Sequence, residues 1–478
     1  MQQVFDTAGM KKTTYIMRGI ALLMMVSSFT MCAKKIDVTT TPTTKPGEVA
    51  VVDTAKETTS TPSTPPTTPT TPTATYTIKP TDWQFDGAKV PAGAVIYIPA
   101  GTRSSLLIKN LKGNPEAPIT IVNQGGQVHI DVASTASYAF KTTNCQFFKV
   151  LGNGVSSVKY GINLSGGNIG VTFDDLSTDF EVANIEVRNC AFAGIMAKTD
   201  PSCDAATQRG HFTMANVKVH DNYVHKTGGE GYYIGNSFYK DGVSLSCGRV
   251  MPHDVLNLKV YNNVADSTGC EGIQVGAAIS GAEVYNNTVT NPGLSPFASG
   301  QNNGIQLGEG TGGKCYNNLI KNAPGNGIIL LGLGDNLLYN NIIISAGGHG
   351  IFADSRYTPG PNFQFINNTI ISPGQDGIKL NSETIPMNTA INNLIIITGS
   401  GTAINRMSRN VKLTSLNNYT GRDISAVKFV DFAGGDYRLQ PGSPLLGAGA
   451  LVLTYGITLD FYGKQRSGST AVTIGATE

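Results

Sequence analysis

The chain has 478 residues, with 35 basic and 33 acidic side chains, a formal charge of +2 and a charged fraction of 14%. That balance offers no field of one sign to hold nucleic acid, so no nucleic-acid partner is expected. Glycine contributes 56 residues and asparagine 38, with no asparagine before Asn110. Both are poor helix formers, which excludes a helical bundle and predicts a turn-rich body behind a different kind of N-terminus.

Residues 1–32 read as an address. Lys11, Lys12 and Arg18 precede an apolar run from Gly19 to Val26, and Cys32 follows. A basic region ahead of a short apolar one predicts export, with Met10 as an alternative start. The run is too short to span a membrane. Residues 33–75 predict a disordered linker, because positions 58 to 75 hold only Thr, Pro and Ser apart from Ala74 and cannot bury a core. Cys32 sits where a signal resembling that of bacterial lipoproteins would be cut and acylated. The resemblance implies a lipid anchor at the outer membrane or cell surface. Met31 stands where such signals carry Gly, Ala or Ser, and the alternative is a spectator cysteine in a secreted or periplasmic protein.

The body repeats. An Asn pair recurs at Asn262-Asn263, Asn286-Asn287, Asn317-Asn318, Asn340-Asn341, Asn367-Asn368, Asn392-Asn393 and Asn417-Asn418. A Gly-Ile step follows at Gly272, Gly304, Gly327, Gly350 and Gly377, with Gly161 and Gly194 ahead of them. A period of about 23 to 27 residues holds three short strands and three turns, one coil of an all-β solenoid whose equivalent residues stack in columns. An inward column of asparagines would bond to itself and to the turn backbone. The tyrosines before the pairs, Tyr261, Tyr285, Tyr316 and Tyr339, form another column, in which His220 takes the next place.

Residues 94–122, from Ala94-Val-Ile-Tyr-Ile-Pro to Ile119-Thr-Ile-Val122, resemble the first coils of the pectate-lyase-like superfamily of right-handed parallel β-helix proteins. Asp436-Tyr-Arg-Leu-Gln-Pro-Gly-Ser-Pro-Leu445 is similar to the closing segment of secreted Bacteroidetes members. The resemblance implies a right-handed β-helix over 76–425, a closing segment over 426–478, and a polysaccharide as partner. It leaves the activity open, because fold does not fix function.

Strand alternation turns the third residue of each Gly-Ile-x-Leu outward. The expected outer column is Asn163, Met196, Tyr233, Gln274, Gln306, Ile329, Phe352, Lys379 and Asn405. Amides and aromatic rings on such a shelf suit a sugar chain, so Tyr233, Gln274, Gln306, Phe352 and Asp354 are the candidate substrate-binding residues. The bland alternative is a solvated outer face. Two clusters are candidates for chemistry. Glu230 and Glu271 precede the shelf glycine in consecutive coils, as a Ca²⁺ ligand pair, an acid/base pair for hydrolysis, or plain turn residues in water. His349, Asp354, Arg356, Asp376 and Lys379, with Arg406 one coil on, would neutralise a uronate carboxylate and remove its α-proton, or else form ordinary ion pairs. Ca²⁺ is the one candidate cofactor.

Met251-Pro252-His253-Asp254 is similar to a motif of alginate epimerases but lacks its leading Asp, which puts that activity in doubt. Cys203 and Cys247 both fall in long loops and are a candidate disulfide; the remaining cysteines of the body read as buried small apolar residues. The expectation is an exported, monomeric β-helix that cleaves polysaccharide by β-elimination or hydrolysis, with a non-catalytic glycan-binding or adhesion protein as the alternative.

Overall fold

The computed structural model describes residues 73–356 and 360–478. The export signal, Cys32 and the linker up to residue 72 lie outside the described residues. From Thr75 onward the chain winds into a parallel β-helix with a 23-stranded sheet and a 12-stranded sheet. One coil shows the plan. Leu337–Tyr339 and Ile342–Ile344 belong to the larger sheet and Ile351–Ala353 to the smaller. Each strand pairs in parallel with its equivalent in the next coil, as in Leu338↔Phe365, Ile343↔Ile370 and Ile351↔Ile378.

The central residue of each short strand of the larger sheet faces inward, which makes the core a set of columns. Val260, Val284, Cys315, Leu338 and Phe365 form one, and Ala265, Val289, Ile320, Ile343, Ile370 and Ile395 another, all fully buried. Burying a side chain of this size contributes about 1.5–3 kcal/mol.

The Asn pairs make the corner between the first two strands of each coil. The first Asn takes the left-handed conformation, with φ from 49° at Asn417 to 56° at Asn392, a region that asparagine tolerates better than other side chains. The second points inward and is buried. Asn263 donates Nδ2 to Val219 O at 2.8 Å and to Asn287 Oδ1 at 3.1 Å, and its own Oδ1 accepts from the Asn222 amide at 3.2 Å. The same bonds recur through Asn318, Asn341, Asn368 and Asn393 to Asn418. The tyrosine column is equally regular. His220, Tyr261, Tyr285, Tyr316 and Tyr339 stack with centroids 4.5, 4.9, 4.8 and 4.6 Å apart.

The chain after the last coil folds back over the outer face of the larger sheet. Val427, Phe429, Tyr437, Leu445 and Ile474 cover Ile342, Ile371, Leu394 and Ile396, while Val452, Ile457 and Val472 cover Leu337, Ile366 and Ile391. Arg466, 1% exposed, locks the segment down by donating to Asn340 Oδ1 at 2.9 Å and to Glu478 Oε2 at 3.0 Å.

Candidate functional site

The outer face of the 12-stranded sheet carries the column Thr172, Met196, Tyr233, Gln274, Gln306, Ile329, Phe352, Lys379 and Asn405, each paired with the next. Asn163 is not in it. Its strand Ile162–Ser165 belongs to the larger sheet, where Asn163 pairs with Glu186. The place expected for it is held by Thr172 of Gly170-Val-Thr-Phe, because a Gly followed by an apolar, outward, apolar triplet fits a strand of either sheet.

The shelf is open at one end only. Tyr233 and Gln274 are 8% and 4% exposed. Tyr233 Oη and Gln274 Nε2 both bond Ser237 Oγ at 2.8 Å, and Lys198 Nζ lies 4.9 Å from the Tyr233 ring centroid. These two side chains build the wall rather than a free platform. Gln306, Phe352 and Lys379 are partly exposed, and this half of the face remains open.

The position before each shelf glycine forms a second column. Glu271 Oε1 accepts Asn303 Nδ2 at 2.9 Å; Asn303 Oδ1 accepts the Asn326 amide at 3.0 Å; Asn326 Oδ1 accepts the His349 amide at 3.0 Å. His349 Nδ1 then takes the Asp376 amide at 3.2 Å, and Asp376 Oδ1 takes the Thr402 amide at 2.9 Å. The two clusters read separately from sequence are therefore two ends of one ladder.

At the first end Glu230 and Glu271 are 2% and 0% exposed, so they do not face water as turn residues would. Phe192 and Phe297, 5.8 Å apart, close over the adjoining Gly229. Each glutamate keeps one buried carboxylate oxygen, Oε2, without a partner. Burial, then the charge of Glu230, pushes Glu271 up to about 7, and burial raises Glu230. Cys270 joins them, with one ligand atom from each residue within 4.8 Å of the others. Ca²⁺ takes six to eight oxygens. Two carboxylates and a thiol, with an Asn303 N–H group already turned on Glu271, do not fit it. The set fits a carboxylic acid beside a carboxylate, and its burial closes it to a polymer, which removes it from hydrolysis.

At the other end the ladder is open. His349 Nδ1 also lies 3.3 Å from Asp376 Oδ2. A ring with Nδ1 bare accepts the amide, whereas one protonated at Nδ1 donates to Oδ2; the two bonds exclude one another. Burial lowers His349, outweighing the pull of Asp376, and with Nδ1 accepting the Asp376 amide the neutral ring carries its proton on Nε2. Asp376 is already satisfied by Thr402 and by Asn405 Nδ2 at 2.8 Å. Lys379 Nζ reaches Asn405 Oδ1 at 3.4 Å, and the His349 and Phe352 rings lie 5.7 Å apart. Asp354 accepts Asn381 Nδ2 at 3.4 Å and is raised by burial. Arg356 is exposed in the following loop. Sequence reading placed Asn405 in the outer column without naming it a candidate, and gave Asn381 no role. Arg406 pairs with Leu380 in the inward register and donates to Val411 O at 3.2 Å, at the end of the solenoid rather than on the shelf.

Loops after the shelf strands build the wall beside it. Cys203 and Cys247 are disulfide-bonded, joining the loops around them, and Cys145, Cys190, Cys270 and Cys315 are free and buried. His253 is fully buried, with Nε2 accepting the Thr199 amide at 3.1 Å and Nδ1 on Asp254 O at 2.9 Å. Both nitrogens serve the backbone, so this histidine positions loops.

The family described as a right-handed β-helix region matches residues 295–419. A pectate lyase crystal structure superposes with a TM-score of 0.52 at 15% identity, covering 85% of this chain and 97% of that one. An alginate lyase from Paenibacillus sp. gives 0.43 at 13% identity over 73% and 99%, and the A-module of a mannuronan C-5 epimerase from Azotobacter vinelandii 0.43 at 14% over 68% and 86%. No curated protein matches the sequence. The chain is a right-handed parallel β-helix protein, similar in fold to a pectate lyase.

Proposed function

We propose that the protein cleaves a uronate-containing polysaccharide by β-elimination on the open half of the shelf. The observation that carries this reading is the meeting of the Lys379 ammonium, the neutral His349 imidazole and the half-buried Asp354 carboxyl around Phe352 on adjoining coils. A fold does not fix an activity, so the reading rests on these side chains. A sugar ring lies on Phe352. Lys379, with Arg356 from the loop, neutralises the uronate carboxylate and so acidifies the neighbouring C–H. Asp354, raised by burial, takes that proton, and His349 Nε2–H returns one to the departing glycosidic oxygen as the C–O bond breaks. The electrons of the broken C–H bond form the new C=C, and the C–O pair leaves with the protonated oxygen.

The test is incubation of the purified protein with uronate and neutral polymers. Unsaturated products absorbing in the ultraviolet are expected from a uronate polymer, and Lys379→Ala abolishes them. New reducing ends without ultraviolet absorbance, or binding without cleavage, would overturn the reading. We also propose export and anchoring through Cys32; intact-mass measurement of the membrane fraction should show an acylated N-terminal cysteine, and an unmodified chain in the medium excludes it.

A further inference from the structure

We infer that the outer face of the 23-stranded sheet carries a second carbohydrate site, which takes a neutral pyranose ring of a polysaccharide chain. The later coils of this face are apolar at Leu319, Ile342, Ile344 and Ile371, and the closing segment packs on them. In the earlier coils the same two columns turn polar and aromatic. One reads Glu186, Tyr223, Val264, Thr288 and the other Arg188, His225, Asp266, Thr290, in consecutive register. These side chains are partly exposed.

A cleft of about 430 Å³ opens there, lined by Lys159, Tyr160, Tyr223, Val264, Asp266 and Thr290. It is shallow and open to solvent, a surface for one ring of a chain rather than an enclosed pocket. Tyr223 is held flat. Its ring stacks on His225 at 4.3 Å and 13°, and His225 Nε2 is fixed by Glu186 Oε1 at 3.0 Å. Tyr160 comes from the turn between Gly152 and Gly161 and meets Tyr223 at 6.1 Å and 35°, with Lys159 Nζ 5.0 Å from its own centroid. The two rings thus meet at an angle beside Val264, an apolar corner for the C–H face of a sugar.

The charges choose the sugar. Asp266 accepts Thr290 Oγ1 at 2.6 Å and Ser267 Oγ at 3.2 Å, and its carboxylate still offers acceptor capacity to hydroxyls. Lys159 and Asp266 oppose one another in the lining, so the cleft presents no net charge to draw a uronate. Burial, then the Asp266 and Glu186 carboxylates, push the Tyr223 phenol up, keeping it a neutral donor. The shelf gathers two cations, Lys379 and Arg356, for an acid sugar; this cleft holds Lys159 and Asp266 in balance and suits a neutral one.

The experiment is calorimetric and saturation-transfer titration of the whole protein with neutral oligosaccharides of several backbones. Tyr160→Ala lies in a turn and leaves the coils intact. It should weaken binding at least roughly tenfold, the loss of one good contact, with an unchanged melting temperature. Asp266→Asn should weaken it less, and Lys379→Ala should bind as the parent does. Failure of every neutral oligosaccharide to bind, binding that survives both Tyr160→Ala and Tyr223→Ala, or preference for charged oligomers would each overturn the inference. Loss of shelf activity without loss of this binding separates the two proposals.

Discussion

Glu271 and His349 stand in one column, three coils apart, joined through the side chains of Asn303 and Asn326. One end of the column is buried, and the other opens onto the shelf. The same backbone position thus holds a proton tightly at one end and exposes a polar ring at the other.

The buried end makes stability depend on pH. Glu271 is raised from 4.5 to about 7, so the folded chain binds this proton more tightly than the unfolded one. Its contribution is highest below 4.5 and declines as pH rises towards 7. Glu271→Gln should remove that decline and gain up to roughly 3 kcal/mol above pH 7. Urea unfolding at pH 5 and pH 8 measures it; parallel pH dependence in parent and variant would count against a buried acid.

The open end should titrate through His349. Its pKa lies below 6.5, and Asp376 pulls it upward. Asp376→Asn should therefore move the imidazole titration to lower pH, followed by NMR whether or not a substrate is known. The acid limb of any activity profile should move the same way. An upward move excludes that pull of the Asp376 carboxylate on the ring.

The two members of an Asn pair should respond differently. Asn263→Leu leaves the Asn222 amide without its partner in the core and removes a side-chain donor from Val219 O, at a cost of about 1–3 kcal/mol. Asn262, exposed at φ 54°, should accept glycine within about 0.5 kcal/mol. Denaturant midpoints of both variants decide it.

Replacing both Cys203 and Cys247 by Ala should loosen the wall of the shelf. A bond across a sequence separation of 44 contributes about 2–4 kcal/mol. Faster proteolysis between residues 199 and 254, with the coils intact, is the expected readout.

Much of the solenoid was legible because its columns repeat in the residues themselves. The Asn pairs, the Gly-Ile steps and the place of His220 beneath Tyr261 all follow from period and side-chain chemistry. Exposure was not legible. Tyr233 and Gln274 are tied down by Ser237, which comes from another turn and carries no periodic signal, and the burial of Glu230 and Glu271 likewise has no mark in the repeat. Asn163 shows a second limit, since a Gly-apolar triplet suits either sheet and only hydrogen-bond register tells which. Arg406 shows a third, because the solenoid ends just beyond it.

Arg466 reaches back to Asn340 across a separation of 126 residues, and the stretch around it shields aliphatic rows laid down much earlier in the chain. During synthesis those rows emerge long before their cover does. A nascent chain halted within its final coils would carry a greasy flank, a target for chaperones and for sticking to its own copies.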